Sequence, residues 1–462
     1  MARVKTPALV FLAFLGSLSC LALTGCATVN LATKTGQLTT GNAQNETILA
    51  ADSPQLAGKE ILFLPQPRHL KAFDFNTAIM AQGTADRSQP MTRTRVARTK
   101  SNLYDVVSVY WGTDRKLEIT PLADARTGRI TTGSISAISP PGPGRGDNLI
   151  LGRARITIPK VAREKGEIKR PWQITFLHYT LYRQSEDPRK HFTLGKLERM
   201  DEADFISSAN RHLSRAQRFK DEAFVFVHGF NISFEDALYR TAQLAYDLEF
   251  DGVPYLYSWP SKAEKSGYLY DRDSADRARH YFLKFLELVA TKTKAKRIHI
   301  IAHSLGARLM IEALDQESQV PGRIKKLKLG EIILAAPDID RDVFKDIASV
   351  ITHSGTGTTL YAADNDRPLQ ISRLLARGKP RAGEVTKKGP MIIKNLDTID
   401  VSDAGTSSLL SLHHNTYADN ARLLSDIRLL LQKGLHPPSK RSKQFKTKKL
   451  PSGGVYWKFA AN

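Results

Sequence analysis

Cysteine is almost absent from this sequence, since only two of its 462 residues are cysteines. So few cysteines exclude a small fold held together by disulfides and a zinc module built on cysteine ligands. The apolar share of 41% is ordinary, which argues against extensive disorder and against a protein with many membrane spans. Acidic residues are scarce relative to basic ones, 46 against 68, and the resulting net charge of +22 makes nucleic-acid binding a hypothesis to test.

The first 25 residues have the pattern of an export signal. Arg3 and Lys5 precede a nearly wholly apolar run over residues 8–23, which is shorter than the roughly 20 residues of a membrane-spanning helix. The run ends in Leu-Thr-Gly-Cys, which resembles the lipobox of bacterial lipoproteins. This resemblance implies that Cys26 becomes the lipid-modified first residue, anchored in the bacterial envelope and, because alanine follows it, in the outer membrane. An ordinary cleaved signal and an uncleaved anchor are the alternatives.

Composition divides the remaining chain into four segments. Residues 26–57 are rich in Thr, Asn, Gln, Ala and Gly, which predicts a flexible tether. Residues 58–220 alternate apolar runs with turn signals, which predicts a β-rich part that contributes the first strands of the sheet. Residues 221–433 alternate strands with helices, which is typical of an α/β fold with a mostly parallel sheet covered on both faces. Residues 434–462 are basic and contain no acidic residue, which predicts a mobile basic tail outside that fold.

The predicted elements follow from apolar runs and helical stripes. The strands expected before residue 221 lie at 61–64, 106–111 and 174–182, and a helix is expected over 201–217. The strands expected after it lie at 224–227, 254–259, 298–302, 331–335, 359–362 and 391–396. Helices are expected after Ser233, over 273–294, from 305 to about 314, and over 416–432.

Ser304 lies where the predicted strand at 298–302 meets a helix. A serine nucleophile on a tight strand-to-helix turn needs small residues two positions away on each side, and Ala302 and Gly306 give the variant A-x-S-x-G. The backbone N–H of Leu305, at the start of the helix, is then expected to stabilise an oxyanion. A serine that only caps the helix is the alternative.

A second oxyanion donor is expected in the turn His228-Gly229-Phe230, which follows an upstream buried strand. The backbone N–H of Phe230 is the candidate donor. His228 is interpreted as structural, making hydrogen bonds within this turn. The segment from Ser261 to Ser274 is either the mouth of the substrate pocket or a plain surface loop.

A serine nucleophile needs a base and an orienting acid, which follow it on such a fold in the order acid, then histidine. Asp366 is the favoured acid because it lies deep in the loop after the strand at 359–362. His414, in the loop before the closing helix, is favoured over His413 as the base. The alternative acids are Asp364 and Asp338, with Asp340, Asp400 and Asp403 less favoured.

Several long motifs, in one order, resemble blocks of a bacterial α/β-hydrolase family whose members are largely uncharacterised and often lipoproteins. The motifs are VSVYWGTDR (107–115), ARITIP (154–159), DPRKHFTL (187–194), FVFVHGFNISFEDALYR (224–240), YSWPS (257–261), IHIIAHSLGARLM (298–310), ILAAPDIDRDVF (333–344), LYAADNDRPLQIS (360–372) with RAGE (381–384) shortly after it, and HHNTYADN (413–420). The resemblance implies an α/β-hydrolase fold with Ser304, Asp366 and His414 as the catalytic triad. Two departures, Ala363 where serine is common and His413 where glycine is common, remove no catalytic group.

These features predict a serine hydrolase that cleaves a small-molecule or lipid ester through an acyl-enzyme, with no cofactor and no metal. A lipase or phospholipase on membrane lipids, and a non-catalytic envelope protein that retains the fold, are the alternatives. Export removes the chain from nucleic acid, so no nucleic-acid partner is expected despite the charge. The basic segment 434–462 is interpreted as a solvated tail or as a contact with an anionic envelope surface.

Overall fold

The structure is a computed structural model that describes residues 103–117, 140–160, 173–176, 179–183, 187–364, 372, 378–404 and 417–460. The predicted export signal with Cys26, the predicted tether and the predicted strand at 61–64 lie outside the described residues. These three stay predictions.

An eleven-stranded sheet forms the centre of the described chain. Its strands are β1 (Tyr104–Arg115), β2 (Arg145–Pro159), β5 (Thr193–Met200), β6 (Glu222–Val227), β7 (Val253–Ser258), β8 (Arg297–His303), β9 (Leu329–Ala335), β10 (Gly357–Ala362), β11 (Asp397–Asp400), β12 (Phe445–Lys449) and β13 (Val455–Phe459). A separate two-stranded sheet contains β3 (Gln173–Phe176) and β4 (Tyr179–Arg183).

The spatial order of the large sheet is β12-β13-β11-β10-β9-β8-β6-β7-β1-β2-β5. The eight adjacent strands from β13 to β1 in this spatial order run parallel to one another. β2 and β5 at one edge, and β12 at the other, pair antiparallel with their neighbours. This sheet confirms the predicted α/β class with a mostly parallel sheet.

The central strands are buried on both faces. In β6, Val225 and Val227 join the core on one face of the sheet, while Phe224 and Phe226 join the core on the other face. A strand covered on both sides has no solvent-facing positions, so its sequence is apolar without interruption. This is why the run FVFV predicts a strand correctly although it lacks the alternation of a half-exposed one.

Helices cover both faces of the sheet. They are α1 (Glu202–Leu213), α2 (Phe234–Asp247), α3 (Tyr268–Lys292), α4 (Leu305–Ser318), the short α5 (Arg323–Lys326), α6 (Arg341–Ser354) and α7 (Tyr417–Lys433). α1, α3, α4 and α6 bury apolar residues in one core, and α2 and α7 bury theirs in the other. Among the described helices, none combines the length and the apolar character needed to cross a membrane.

The predicted strand at 391–396 is wrong, and the strand lies just after it, at Asp397–Asp400. Met391 and Leu396 are buried from an irregular segment, so their apolar character reflects packing and not strand pairing. Asn395 has a φ of 63°, in the left-handed region, which interrupts an extended chain at this point.

The predicted mobile tail is also wrong for most of its length, because residues 445–449 and 455–459 form β12 and β13 of the large sheet. β13 pairs parallel with β11, and the side chains of Phe445 and Phe459 are buried. Arg441 forms a fully buried ion pair with Asp426 of α7, at 2.5 Å. Composition alone was misleading here, since a few buried contacts hold a segment whose other residues are charged and exposed.

His436 fastens the start of this C-terminal segment to the sheet. Its Nδ1 lies 2.7 Å from Asp397 Oδ2 and its Nε2 lies 3.0 Å from Glu331 Oε2. Hydrogen bonds to Asp397 and then to Glu331 raise the pKa of His436 to about 9, although burial acts in the opposite direction. The imidazole is therefore a cation at neutral pH, held between two carboxylates.

This clamp predicts a pH-dependent stability. The folded pKa of about 9 lies above the ordinary 6.5, so the stabilisation by His436 is complete below pH 6.5 and is lost as pH rises through 9. We expect the free energy of unfolding to fall over this range in the wild type and to fall much less in His436→Gln. Denaturation midpoints across this pH range measure the effect, with His353→Gln, at an exposed histidine, as the control. Equal slopes in wild type and His436→Gln would contradict the clamp.

Candidate active site

Ser304 occupies a strained turn between β8 and α4. Its backbone dihedrals are φ 49° and ψ −119°, a region that non-glycine residues rarely adopt. Two hydrogen bonds hold this conformation: the N–H of Ser304 donates to the carbonyl of Ala335 (2.9 Å), and the N–H of Asp338 donates to the carbonyl of Ser304 (3.1 Å). The end of β9 thus fixes the turn that presents the serine.

The hydroxyl of Ser304 has no hydrogen-bond partner within the described part of the chain, although the residue is only 3% exposed. Ser304 does not cap α4 with its side chain, so the alternative role as a capping serine does not apply. A buried hydroxyl without a partner is unfavourable by about 1–3 kcal/mol. It lies at the positive end of a helix, where negative charge on a nearby atom is stabilised.

Close backbone packing explains the small residues around Ser304. A Cβ placed on Gly306 would lie 2.1 Å from the carbonyl oxygen of His228, which no side chain can tolerate. A Cβ placed on Gly229 would lie 2.6 Å from His303 Nδ1 and 3.1 Å from Ser304 Cβ. The methyl group of Ala302 fits the core without such a clash, so the variant with alanine at this position is accommodated.

The turn that contains Phe230 therefore lies against the serine turn. Within it, His228 is buried, stacks on Trp259 with ring centroids 4.9 Å apart, and makes contacts with the Gly229 carbonyl (2.9 Å) and the Ser258 hydroxyl (3.2 Å). Phe230 is half-buried and packs edge-on against Tyr268. Leu305 is the first residue of α4 and is fully buried. The structure thus brings the two predicted oxyanion residues, Leu305 and Phe230, to the two sides of one narrow contact.

Asp338, one of the alternative acids, is buried beside Ser304 but is already engaged. Its Oδ2 accepts from the Tyr268 hydroxyl (2.9 Å), and its Oδ1 accepts from the Ser372 hydroxyl and lies 3.2 Å from Arg381 Nε. Burial raises the pKa of Asp338, against these donors. Within the described chain, both carboxylate oxygens of Asp338 are therefore engaged by groups other than a histidine.

Three of the remaining candidates for the acid, Asp340, Asp400 and Asp403, bind groups close to them in the structure. Asp340 caps α6 through the N–H groups of Asp342 and Val343. Asp400 accepts from the Ser402 N–H and hydroxyl, and Asp403 pairs with Lys458 at 3.1 Å. Asp364 is exposed just beyond β10.

Asp366, His413 and His414 lie outside the described residues, so their assignment stays a prediction. In the sequence, each of them follows a strand that the structure does describe. Ser304 follows β8, Asp366 follows β10, and His414 follows β11, and these strands run parallel with only β9 between β8 and β10. The carboxyl ends of parallel strands meet at one edge of a sheet, where ligands bind in open α/β sheets.

A family model described as "alpha/beta hydrolase of unknown function (DUF900)" matches residues 201–433, half of the chain. The chain belongs to this alpha/beta hydrolase family. A solved structure from Lactobacillus plantarum WCFS1, named a cell surface hydrolase, is similar at 12% identity and a TM-score of 0.29, with 49% of this chain and 97% of that chain covered. None of the curated proteins matches the chain.

Sequence reasoning missed several residues that support the site of this hydrolase. Arg115 and Asp271 are fully buried behind the Phe230 turn, and Arg381 pairs with Asp338. Arg115 ends the motif VSVYWGTDR and Arg381 begins the motif RAGE, so both residues belong to the motifs of the resemblance, although neither could be assigned a role from the sequence. Their roles depend on contacts between segments distant in sequence.

The Gly306 contact predicts a specific instability. Gly306→Ala should lower the free energy of unfolding by about 3 kcal/mol, because the added methyl meets backbone atoms that cannot move independently. Gly322→Ala is the matched control, since nothing lies within 4 Å of its added methyl and only its positive φ opposes it, by about 1 kcal/mol. Urea denaturation of both variants measures the difference, and equal losses would contradict the close contact.

Proposed function

We propose that this hydrolase is a serine hydrolase that cleaves carboxylic esters through a Ser304–His414–Asp366 triad. The observation that carries the proposal is Ser304 itself: a strained, buried serine at the N-terminus of α4, with a hydroxyl that has no partner in the described chain. Backbone strain is unfavourable for folding and concentrates where function requires it, and no group in the described chain engages the Ser304 hydroxyl.

The order of the strands supports the assignment of acid and base. β10 and β11 run parallel to β8 and end at the same sheet edge as the Ser304 turn. In the sequence, Asp366 follows β10 and His414 follows β11. Asp338 is the weaker candidate for the acid, because Tyr268, Ser372 and Arg381 already occupy its carboxylate.

The described histidines near Ser304 are unsuited to act as the base. Burial, and then the charge of Arg115, lowers the pKa of His228 to about 3, and burial also lowers that of His303 to about 3. A base with so low a pKa holds a proton poorly at neutral pH, whereas general bases work best with a pKa near the working pH. This leaves His414 and its neighbour His413 as the candidates.

In the proposed reaction, His414 accepts the proton of the Ser304 hydroxyl as its oxygen attacks the ester carbonyl. Asp366 stabilises the imidazolium, and the N–H groups of Leu305 and Phe230 bind the oxyanion. Collapse of the tetrahedral intermediate releases the alcohol, which takes the proton from His414, and leaves an acyl-enzyme. Water, deprotonated by His414, then attacks the acyl group, and collapse of the second tetrahedral intermediate releases the acid while His414 returns the proton to Ser304 Oγ.

Reaction with a fluorophosphonate probe tests the nucleophile. Wild type should be labelled and Ser304→Ala should not, and esterase turnover should fall by about a millionfold in Ser304→Ala. Ser233→Ala is the matched control, since Ser233 caps α2 and its loss should lower stability by about 1 kcal/mol without preventing labelling. Asp366→Asn should impair turnover far more than Asp338→Asn. A well-folded wild type that is not labelled would contradict the proposal.

A panel of esters with short and long acyl chains, assayed with and without lipid vesicles, sets the substrate class. Activity confined to long chains at the vesicle surface would favour a lipase over an esterase acting in solution.

We also propose that the hydrolase is anchored to the envelope by a lipid on Cys26, on the strength of the Leu-Thr-Gly-Cys motif. In a bacterial host, an alkyne analogue of palmitate should label wild type and should not label Cys26→Ala. Cys20→Ala is the matched control, because this residue lies within the predicted signal and should leave labelling intact. Labelling that persists in Cys26→Ala would exclude the anchor.

A further inference from the structure

The direction of the Phe230 N–H is set by the peptide group it belongs to. In a trans peptide the C=O of one residue and the N–H of the next point in opposite directions, so the carbonyl of Gly229 fixes the aim of the Phe230 N–H. That carbonyl accepts a hydrogen bond from His228 Nδ1 at 2.9 Å. Whatever holds the ring of His228 therefore also aims the proposed oxyanion donor.

A series of hydrogen bonds holds that ring and begins at Arg115. The Nε of Arg115 donates to Ser258 Oγ at 3.0 Å, and Ser258 Oγ lies 3.2 Å from His228 Nε2. Because Nδ1 of His228 faces a carbonyl, it carries the ring proton, and Nε2 is left to accept from the Ser258 hydroxyl. Each group in the series thus donates to the next, from the guanidinium to the carbonyl of Gly229.

The same guanidinium holds the far end of the turn. Its second terminal nitrogen donates to the carbonyl of Ile232 at 2.9 Å, and its first donates to the carbonyls of Ser261 (3.0 Å) and Gly142 (3.3 Å). All these donors are directed by one planar fork, which lysine cannot reproduce. The turn is therefore held at both ends by a single side chain.

Asp271 completes the support from the start of α3. Its Oδ2 accepts from the N–H of Asn231 (3.1 Å) and from the Ser261 hydroxyl (2.6 Å), while Ser261 Oγ accepts from the N–H of Ile232 (3.1 Å). Asn231 has a positive φ of 59°, so the turn includes a conformation that needs such restraint.

Burying the charge of Arg115 is unfavourable for folding, so the contacts that it makes are expected to have a role. Arg115 is 1% exposed, and removing a charged side chain from water is unfavourable by several kcal/mol. Burial lowers the pKa of Arg115 to about 10, with Asp114 and Asp271 opposing the shift, so the group stays charged at neutral pH. An apolar side chain would fill the same space without this penalty, but it could not direct the turn.

We propose that Arg115 is a positioning residue of the oxyanion hole, which aims the Phe230 N–H through Ser258 and His228. The inference rests on the proposed serine-hydrolase function. It assigns to the motif VSVYWGTDR, more than 180 residues before Ser304, a role in the reaction.

The test compares Arg115→Met and Ser258→Ala in the full-length protein. Each should lower kcat, and the rate of fluorophosphonate labelling, between roughly tenfold and a hundredfold, with KM changed little, because a misdirected donor weakens transition-state binding. Affinity for a boronic acid, which mimics the tetrahedral intermediate, should fall in parallel. Because the two residues act in one series, the double variant should be no slower than Arg115→Met alone.

Arg153→Met is the matched control, since it removes another arginine with buried contacts: Arg153 on β2 forms a partly buried ion pair with Glu198 on β5 at 2.6 Å. It should lower the denaturation midpoint and leave labelling and boronic-acid affinity unchanged. Ser258→Ala removes only a hydroxyl, so it decides the matter even if Arg115→Met does not fold.

Two results would overturn the inference in different ways. If wild type is labelled and Ser258→Ala or folded Arg115→Met reacts at the wild-type rate, the positioning role is excluded while the serine hydrolase stands. If wild type itself is not labelled, the proposed function fails and the inference fails with it.

Discussion

The structure depends on the contact between two turns that leave neighbouring parallel strands. β6 and β8 pair with Val227 opposite Ala302, and each strand is followed at once by a turn at the same edge of the sheet. Strands in a sheet lie about 4.8 Å apart, so the carbonyl of His228 and the backbone of Gly306 meet with no room for a side chain between them. The sheet spacing thereby sets the distance between the serine and the turn that faces it, before any side chain contributes.

The parts of this site that sequence predicts are those determined by residues close together in the chain. The strand–turn–helix around Ser304 follows from an apolar run, a serine, a glycine two residues on and a helical stripe. Ser233 is likewise recognisable as a cap from its neighbours alone, and the structure shows its hydroxyl accepting from the N–H of Asp236. The α/β class follows from repeated runs of this kind.

The parts that sequence does not predict depend on pairings between distant segments. An arginine at the end of an apolar strand is expected at the surface, and Arg115 becomes a buried donor only because three other segments of the chain supply acceptors around it. By its position after β9, Asp338 is a candidate acid for the proposed catalytic triad, but Tyr268, Ser372 and Arg381 reach its carboxylate from elsewhere in the chain. The sequence also predicts a strand where there is none, around Met391 and Leu396. Residues buried from an irregular segment are as apolar as those of a strand, so the pattern does not distinguish the two.

Part of the excess positive charge lies on the folded C-terminal segment, where it has a structural role at the edge of the sheet. β12 lies at one edge of the large sheet. An edge strand offers unpaired backbone groups to any other extended chain. Lys446, Lys448 and Lys449 are all exposed on this strand. If a second copy of the chain paired with this edge through its own β12, the lysines of the two copies would repel each other. The pairing would also remove these charged side chains from water. The exposed lysines of this edge strand therefore oppose edge-to-edge pairing of two sheets and the aggregation that would follow from it.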